Sequence, residues 1–167
     1  MGRVCSLNLD DGSQNEDTLL TRSIVRQSMG FSTMSDSFSA DPETGIVSKS
    51  RSGSVAEAVS KLTELVEARG MKIFTIVDHS GEARRNGLEL RDTVLVIFGS
   101  PSGGTPIMEA SPLAALDLPL KVLAWDDSGQ TKISYTSPDV LAARHHLTEE
   151  LASRIAGIGP LTDVLVS

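Results

Sequence analysis

The sequence predicts an α+β fold: a single domain with one sheet of about five strands, mixed or antiparallel, and helices mainly on one face. Short β-branched segments bounded by turn residues predict strands, and segments with helical periodicity predict helices. The two kinds of segment do not alternate strictly, which excludes both a regular β-α repeat and an all-β fold. A turn-rich run near residue 128 separates two strands by so few residues that they must be antiparallel. The predicted order is β-α-β-β-(short α)-β-β-α-α.

The first predicted elements are a strand at residues 45–50 and a capped helix. Ser54 with Glu57 three residues later forms a capping box, and Gly70 is the residue type favoured just after a helix end. Apolar residues lie between them at helical spacing: Val55, Ala58, Val59, Leu62, Leu65 and Val66. Residues 71–77 carry apolar groups on both faces, which favours a central strand. The first β-α-β unit is therefore expected to be locally parallel, with a right-handed crossover.

The middle of the chain predicts a second buried strand at residues 93–98. It follows a polar segment at 81–86, predicted to be a helical turn or a loop, and precedes a Gly/Pro-rich loop at 99–106. Residues 107–116 hold one or two helical turns broken at Pro112. Strands at 120–125 and 132–135 then form a hairpin around 126–130.

The C-terminal part predicts two helices. Ser137 followed by Pro138 is an N-cap with Pro at N1, and this helix runs through Ala143. The second helix begins at residues 148–150 and ends near Gly157. The predicted organisation is a flexible Ser-rich, acidic extension at 1–43, a folded domain at 44–159 and a C-terminal tail at 160–167.

Composition excludes several classes of function. The 167 residues carry 15 Lys+Arg against 22 Asp+Glu, a net charge of −7, which argues against binding nucleic acid. The longest apolar runs fall well short of the ~20 residues that a membrane helix needs, so we expect no membrane association and a cytoplasmic location. The one cysteine, Cys5, excludes an internal disulfide and a cysteine-rich zinc site.

Asp78 and His79 follow directly after a predicted strand, where many sheets bind ligands. In the functional interpretation, His79 acts as a general base or ligand contact, oriented by Asp117 or Asp126. In the structural one, Asp78 caps the next turn and His79 satisfies a buried carbonyl. The sequence leaves both open.

The loop at 99–105 has the glycine spacing of a phosphate loop, but Thr105 stands where the lysine should be. A nucleotide site is therefore not expected. Backbone N–H groups of Gly103, Gly104 and Thr105 still suit a small anion site at a helix N-terminus. The alternative is that the two glycines make a tight turn and Thr105 caps the helix that follows.

Lys121 and Trp125 share one face of a predicted strand and are candidates for holding an anion and stacking a planar ligand. Tyr135, on the partner strand, lies near Trp125 in one possible register. His145 and His146 are adjacent on a helix end and point about 100° apart, so no metal site and no cofactor are expected. The ordinary role of His145 and His146 is structural, because a cationic side chain near a helix C-terminus interacts favourably with the helix dipole.

Several short motifs resemble those of the bacterial and archaeal "domain of unknown function 302" family. They are Val77-Asp78-His79, Phe98-Gly99-Ser100-Pro101, Gly104-Thr105-Pro106-Ile107-Met108, Asp117-Leu118-Pro119-Leu120-Lys121, Trp125-Asp126 and Ser134-Tyr135. The resemblance covers about residues 45–147. It implies a compact α+β domain that forms a homodimer, and it implies no reaction. Ser100 and Thr136 stand where the family often has Asn.

The sequence is compatible with two functions. One is a dimeric module that binds a small anionic or planar ligand, or a protein, through Asp78, His79, Gly103–Thr105, Lys121, Trp125 and Tyr135. The other is a small enzyme in which His79 works with Asp117 or Asp126 as acid and base over the 99–105 loop. The second requires these groups to converge in one cavity.

Overall fold

The computed structural model describes residues 40–167, so the predicted extension at 1–43 lies almost wholly outside the described residues. The described part forms five strands and six α-helices. The strands are β1 (Ile46–Arg51), β2 (Lys72–Asp78), β3 (Thr93–Gly99), β4 (Leu120–Asp127) and β5 (Gln130–Thr136). The helices are α1 (Val55–Ala68), α2 (His79–Arg85), α3 (Pro101–Ala110), α4 (Pro138–Arg144), α5 (Glu149–Ser153) and α6 (Ile158–Val166). A 3-10 helix (Pro112–Leu116) precedes β4.

The strands form a single sheet in the order β1-β5-β4-β3-β2, and every neighbouring pair is antiparallel. Alternation along β4 separates the two faces. Leu120, Val122 and Ala124 are buried beneath the helices, on what we call the helical face. Lys121, Leu123 and Trp125 are half-buried on the open face. The predicted α+β class, single domain and one-sided helix packing are confirmed.

Helix α1 forms as its end signals predict. The Ser54 N–H donates to Glu57 Oε2 at 2.7 Å and the Glu57 N–H donates to Ser54 Oγ at 3.2 Å, which completes the capping box. At the other end Gly70 has φ +69°, and its N–H donates to the Glu67 carbonyl. Between these ends, Ala58, Leu62 and Val66 are buried against the sheet.

The β4–β5 hairpin closes through a two-residue turn. Ser128 and Gly129 both have positive φ, +55° and +89°, which is the backbone conformation of the tight turns that match strand twist. Asp126 accepts the Gly129 N–H at 3.2 Å with its carboxylate and stabilises the turn. The predicted hairpin is confirmed.

The prediction of a central strand at residues 71–77 is wrong, since β2 is an edge strand. Phe74 and Ile76 are 46% and 45% exposed. β1 and β2 lie at opposite edges, so α1 crosses the whole sheet and the expected parallel pairing does not form. Apolar residues on both faces are typical of a strand at the centre of a sheet. In β2 they lie at the edge of the sheet instead, where Phe74 and Ile76 stay exposed.

Three further boundaries differ from the prediction. Residues 99–106 are mostly helical, because Pro101 fixes the first turn of α3 and the chain continues through Pro106. The second C-terminal helix ends at Ser153 and not near Gly157. Residues 160–167, predicted to be a tail, form most of α6, where Leu161 and Leu165 are buried.

Candidate functional site

A cavity of about 310 Å³ lies at the end of the sheet where β2 and β4 begin and β3 ends. Its walls come from the start of β2, the turn into β4, α3 and the segment after α5. Most of the lining side chains are apolar: Met71, Phe74, Met108, Leu118, Pro119, Leu120 and Ile155. A concave, mainly apolar cavity with few polar groups is the usual form of a small-molecule site.

Arg154 is the cationic residue of the cavity wall, and its side chain is 36% exposed. One terminal nitrogen of its guanidinium lies 3.3 Å from Glu150 Oε1, and the other donates to the Ser102 carbonyl at 3.4 Å. These long contacts hold the guanidinium at the boundary between cavity and solvent. There it can pair with an acidic group of a ligand whose body lies on the apolar wall.

The predicted anion nest at Gly103, Gly104 and Thr105 does not form. The N–H groups of Gly103 and Gly104 both donate to the Ser100 carbonyl, at 3.0 and 2.9 Å, inside the first turn of α3. Ser100 is the N-cap, so Thr105 lies in mid-helix and does not cap. The three residues line the cavity instead, and the glycines leave room there because they carry no side chain.

His79 lies at the other end of the sheet from this cavity. Asp78 is opposite Val94 on β3, whereas the cavity begins at Gly99, and the five residues between them span roughly 17 Å of strand. His79 is exposed, so it does not satisfy a buried carbonyl. The acid–base arrangement of His79 over the 99–105 loop is therefore not assembled.

Asp78 has the capping role of the structural interpretation. Its Oδ1 accepts the Gly81 N–H at 2.7 Å and the Ser80 hydroxyl at 2.8 Å. These two hydrogen bonds, the Gly81 bond first, lower the pKa of Asp78 from its ordinary value. Its carboxylate is committed to starting α2.

Trp125, Lys121 and Tyr135 do not form one site. Trp125 is opposite Lys132 on the open face, whereas Tyr135 is buried on the helical face beside Gly159. Lys121 shares the open face with Trp125, but four residues of strand, roughly 13 Å, separate them. The Lys121 ammonium donates to the Asp117 carbonyl at 2.7 Å, which anchors the turn before β4.

A histidine–carboxylate pair does form, with the expected aspartate and a different histidine. His145 Nε2 lies 2.6 Å from Asp117 Oδ2, and Arg144 donates to the same carboxylate at 3.0 and 3.1 Å. Burial raises the pKa of Asp117, but the hydrogen bonds from His145 and Arg144 outweigh it and hold that pKa below its ordinary value. Asp126, the other predicted partner, serves the hairpin turn.

Sequence reasoning missed Arg154, Met71 and the pairing of His145. The sequence pattern places His145 and His146 only relative to their own helix, and no local pattern indicates a contact with a residue 28 positions away. His146 has φ +51°, which ends the helical path of α4 directly after His145. Among residues 40–167, no three His, Cys, Asp or Glu side chains converge as metal ligands do.

Comparison with curated proteins finds relatives in Brucella. The chain is 37% identical over 125 residues to the fluoride-specific ion channel FluC 1 of Brucella suis, covering 72% of this chain and 49% of that protein. The same identity relates it to FluC 1 of Brucella abortus, of which it covers 46%. The chain thus spans about half the length of the curated relatives it matches. No helix within residues 40–167 has the length and apolar character to cross a membrane.

Comparison with solved structures finds the same fold. The crystal structure of an uncharacterized conserved DUF302 protein from Bacillus stearothermophilus superposes with a TM-score of 0.62 at 18% identity. The match covers 73% of this chain and 95% of that one. The family model of the domain of unknown function DUF302 matches residues 47–159. This chain therefore belongs to the DUF302 family.

Proposed function

We propose that this domain is a small-molecule binding module and that its ligand occupies the cavity beside α3. The observation that carries the proposal is the combination of an apolar wall with the single half-exposed cation Arg154 at its edge. Ligand sites in proteins are mostly apolar with a few polar groups that fix orientation. The ligand proposed here is anionic, as expected from the sequence, but the group that binds its charge is Arg154 and not the backbone N–H groups of residues 103–105.

The size of the cavity limits the ligand. An apolar cavity of roughly 150 Å³ accommodates a benzene molecule. A volume of about 310 Å³ therefore suits a ligand of about twice that size, such as a medium-chain or aryl-substituted carboxylic acid. Two methionines, Met71 and Met108, line the wall, and their flexible side chains adapt to different apolar shapes.

A thermal-shift and calorimetric comparison of octanoate with octanol tests the proposal on the full chain. We expect octanoate to raise the melting temperature and octanol to raise it less, because octanol lacks the charge that pairs with Arg154. In Arg154→Gln, the advantage of octanoate over octanol should disappear. The matched control is Arg85→Gln, since Arg85 also pairs with a glutamate of its own helix but lies on α2, outside the cavity lining.

A second variant tests the cavity itself. A Cβ at Gly104 would lie 3.8 Å from the end of Met108, an ordinary contact, so a larger side chain there extends into the cavity without a backbone clash. Gly104→Leu should abolish binding of both compounds while the domain stays folded. Binding that survives in Gly104→Leu, or that shows no preference for the acid in the wild type, contradicts the proposal.

We also propose a second candidate function, in which this chain binds a fluoride-conducting membrane protein as a partner. It rests on the 37% identity to about half of a protein named as a fluoride-specific ion channel. Domains joined in one polypeptide in one organism often interact as separate chains in another. The test is co-purification of this chain with detergent-solubilised Brucella suis FluC 1 lacking the matching 125 residues. Co-elution supports this role, and separate elution contradicts it.

A further inference from the structure

Two leucines of the 3-10 helix are the most exposed large apolar side chains in residues 40–167. Leu113 is 70% exposed and Leu116 is 79% exposed. A 3-10 helix has three residues per turn, so side chains three positions apart lie on the same side of it. Ala114, between the two, is buried and fixes the helix against the core. The leucines therefore project together into solvent, and we call them the leucine pair.

The leucine pair lies beside the cavity. The 3-10 helix joins two segments of the cavity wall, since Met108 lies before it on α3 and Leu118 lies just after it. Consecutive Cα atoms are 3.8 Å apart, so the Cα atom of Leu116 is at most about 7.6 Å from that of Leu118. On another segment of the wall, Phe74 is about half exposed. Exposed apolar side chains thus surround the end of the domain that holds the cavity.

We propose that this end of the domain docks on a lipid surface, with Leu113 and Leu116 inserted among the acyl chains. The inference deepens the proposed function, on which it rests for the role of the cavity, because docking names a lipid surface as the source of the ligand. An acid with a medium-length alkyl chain partitions from water into lipid, and each CH₂ group that it buries adds to this tendency. Docking therefore places the cavity where such acids concentrate.

The form of the leucine pair favours lipid over a protein partner. Two side chains on one short helix cover far less than the roughly 800 Å² that each side of a stable protein complex buries. A fluid lipid surface needs no complementary shape, and the strength of binding follows the apolar area inserted. The expectation of no membrane association came from the lack of a spanning segment, and none is found within residues 40–167. Docking on a surface requires no such segment.

The charges near the leucine pair predict a contact that depends mainly on apolar insertion. Arg144 is paired with Asp117, and Arg154 is paired with Glu150. The Lys72 ammonium lies 5.2 Å from the centre of the Phe74 ring and forms no ion pair within residues 40–167. Attraction to anionic lipid should therefore be about that of a single lysine, and added salt should weaken binding only slightly.

Flotation of the full chain with vesicles of phosphatidylcholine and phosphatidylglycerol tests the docking. The double variant Leu113→Ser/Leu116→Ser should have a partition coefficient about tenfold lower, because two inserted side chains are lost. The matched control is Leu88→Ser/Leu90→Ser. These leucines are 64% and 43% exposed but lie between α2 and β3, at the other end of the sheet. The control should bind vesicles as the wild type does.

Tryptophan fluorescence tests the depth of insertion. In a Trp125→Phe background, Leu116→Trp should give an emission maximum that shifts to shorter wavelength on vesicles and is quenched by lipids brominated on the acyl chain. Leu88→Trp in the same background should show neither effect. A wild-type chain that does not bind vesicles, or an equal loss of binding in both double variants, overturns the proposal. Circular dichroism confirms that each variant is folded.

Two variants separate docking from ligand binding. Leu113→Ser/Leu116→Ser should bind octanoate in vesicle-free buffer as the wild type does, whereas Gly104→Leu should lose octanoate and still bind vesicles. A chain that binds octanoate but no vesicles overturns the docking and leaves the proposed function intact. Sedimentation equilibrium without lipid excludes the other occupant. If the wild type self-associates and the leucine variant does not, the leucine pair contacts a second copy and the proposal is overturned.

Discussion

His145 and Asp117 join the end of α4 to the turn before β4. Their contact, 2.6 Å between Nε2 and Oδ2, links residues 28 positions apart. The His145 side chain is 8% exposed and that of Asp117 is 25% exposed, so the pair is mostly shielded from water. Arg144 covers the same carboxylate from α4, and the Lys121 ammonium holds the Asp117 carbonyl. This cluster is a structural clamp beside the cavity wall.

The clamp predicts a dependence of stability on pH. The pKa of Asp117 is lower in the folded state than its ordinary value of 3.8. A carboxyl with a lowered folded pKa contributes stability that is fully present above its unfolded pKa and is lost as pH falls through the folded pKa. Asp117→Asn should therefore cost about 1–3 kcal/mol at neutral pH. This cost should shrink below about pH 4.

Urea denaturation at pH 7, 5 and 3 measures this difference. Asp139→Asn is the control, because Asp139 is an exposed aspartate in the first turn of α4 with no part in the clamp. Its effect on the free energy of unfolding should stay small at neutral pH. A cost for Asp117→Asn that is equal at pH 7 and pH 3 contradicts the assigned role of the carboxylate.

The clamp also shows why the site was only partly predictable. The sequence offers Asp117 or Asp126 as the carboxylate that orients His79, whereas in the structure Asp117 contacts His145. The partner was misidentified, since His79 lies after a strand in the position typical of a ligand site. Which histidine reaches Asp117 depends on how α4 packs after β5, a tertiary contact that local spacing does not encode.

Lys49 provides a second prediction, because it is a buried lysine that hydrogen-bonds three residues of α6. Its ammonium donates to Asp163 Oδ1 at 2.6 Å, Thr162 Oγ1 at 2.7 Å and the Gly159 carbonyl at 3.2 Å. Lys49→Ala should cost about 2–4 kcal/mol, since the change removes these hydrogen bonds and leaves a space beneath α6. Guanidinium denaturation measures the loss.

The partner of Lys49 on the surface should matter much less. Asp163 is 61% exposed, so water replaces the ammonium when the pair is broken. Asp163→Asn should cost less than about 1 kcal/mol. If the two variants lose equal stability, the ion pair dominates and the buried hydrogen bonds do not.

Gly70 gives a third prediction, which isolates backbone conformation from packing. It has φ +69°, and an added Cβ would contact nothing within 4 Å. Gly70→Ala should therefore cost about 1 kcal/mol through the left-handed backbone alone. Gly157 is the control, since its position is equally open but its φ is −61°. Thermal melts should show that Gly157→Ala is neutral or stabilising. Equal destabilisation of both variants contradicts this explanation.

Local signals of this kind account for the parts of the fold that the sequence predicts well. The capping box at Ser54, Gly70 and the turn at Ser128-Gly129 each act through contacts within a few residues. The errors arise where the structure depends on packing between residues that are distant in the sequence. The edge position of β2 follows from strand order, and α3 replaces the expected loop because Pro101 begins a helix that its glycines do not prevent.

Trp125 supports a fourth prediction that separates the cavity from the site first expected. It is the only tryptophan, and it is opposite Thr93, six residues of strand or roughly 20 Å from Gly99 at the cavity. Its indole N–H donates to Ser134 Oγ at 3.0 Å, and Ser134 Oγ lies 2.7 Å from Ser48 Oγ. A ligand in the cavity should leave the emission spectrum unchanged.

The same fluorescence has a positive control. Ser134→Ala removes the partner of the indole N–H and should shift the emission maximum while lowering stability by about 1 kcal/mol. Ser50→Ala, on the open face of β1, removes a hydroxyl that accepts from Lys132 and not from the indole N–H, and it should do neither. A ligand-induced emission change as large as that of Ser134→Ala would place the ligand on the open face near Trp125. In that case Arg91, whose guanidinium lies 5.3 Å from the ring centre, would be the cation facing it in place of Arg154.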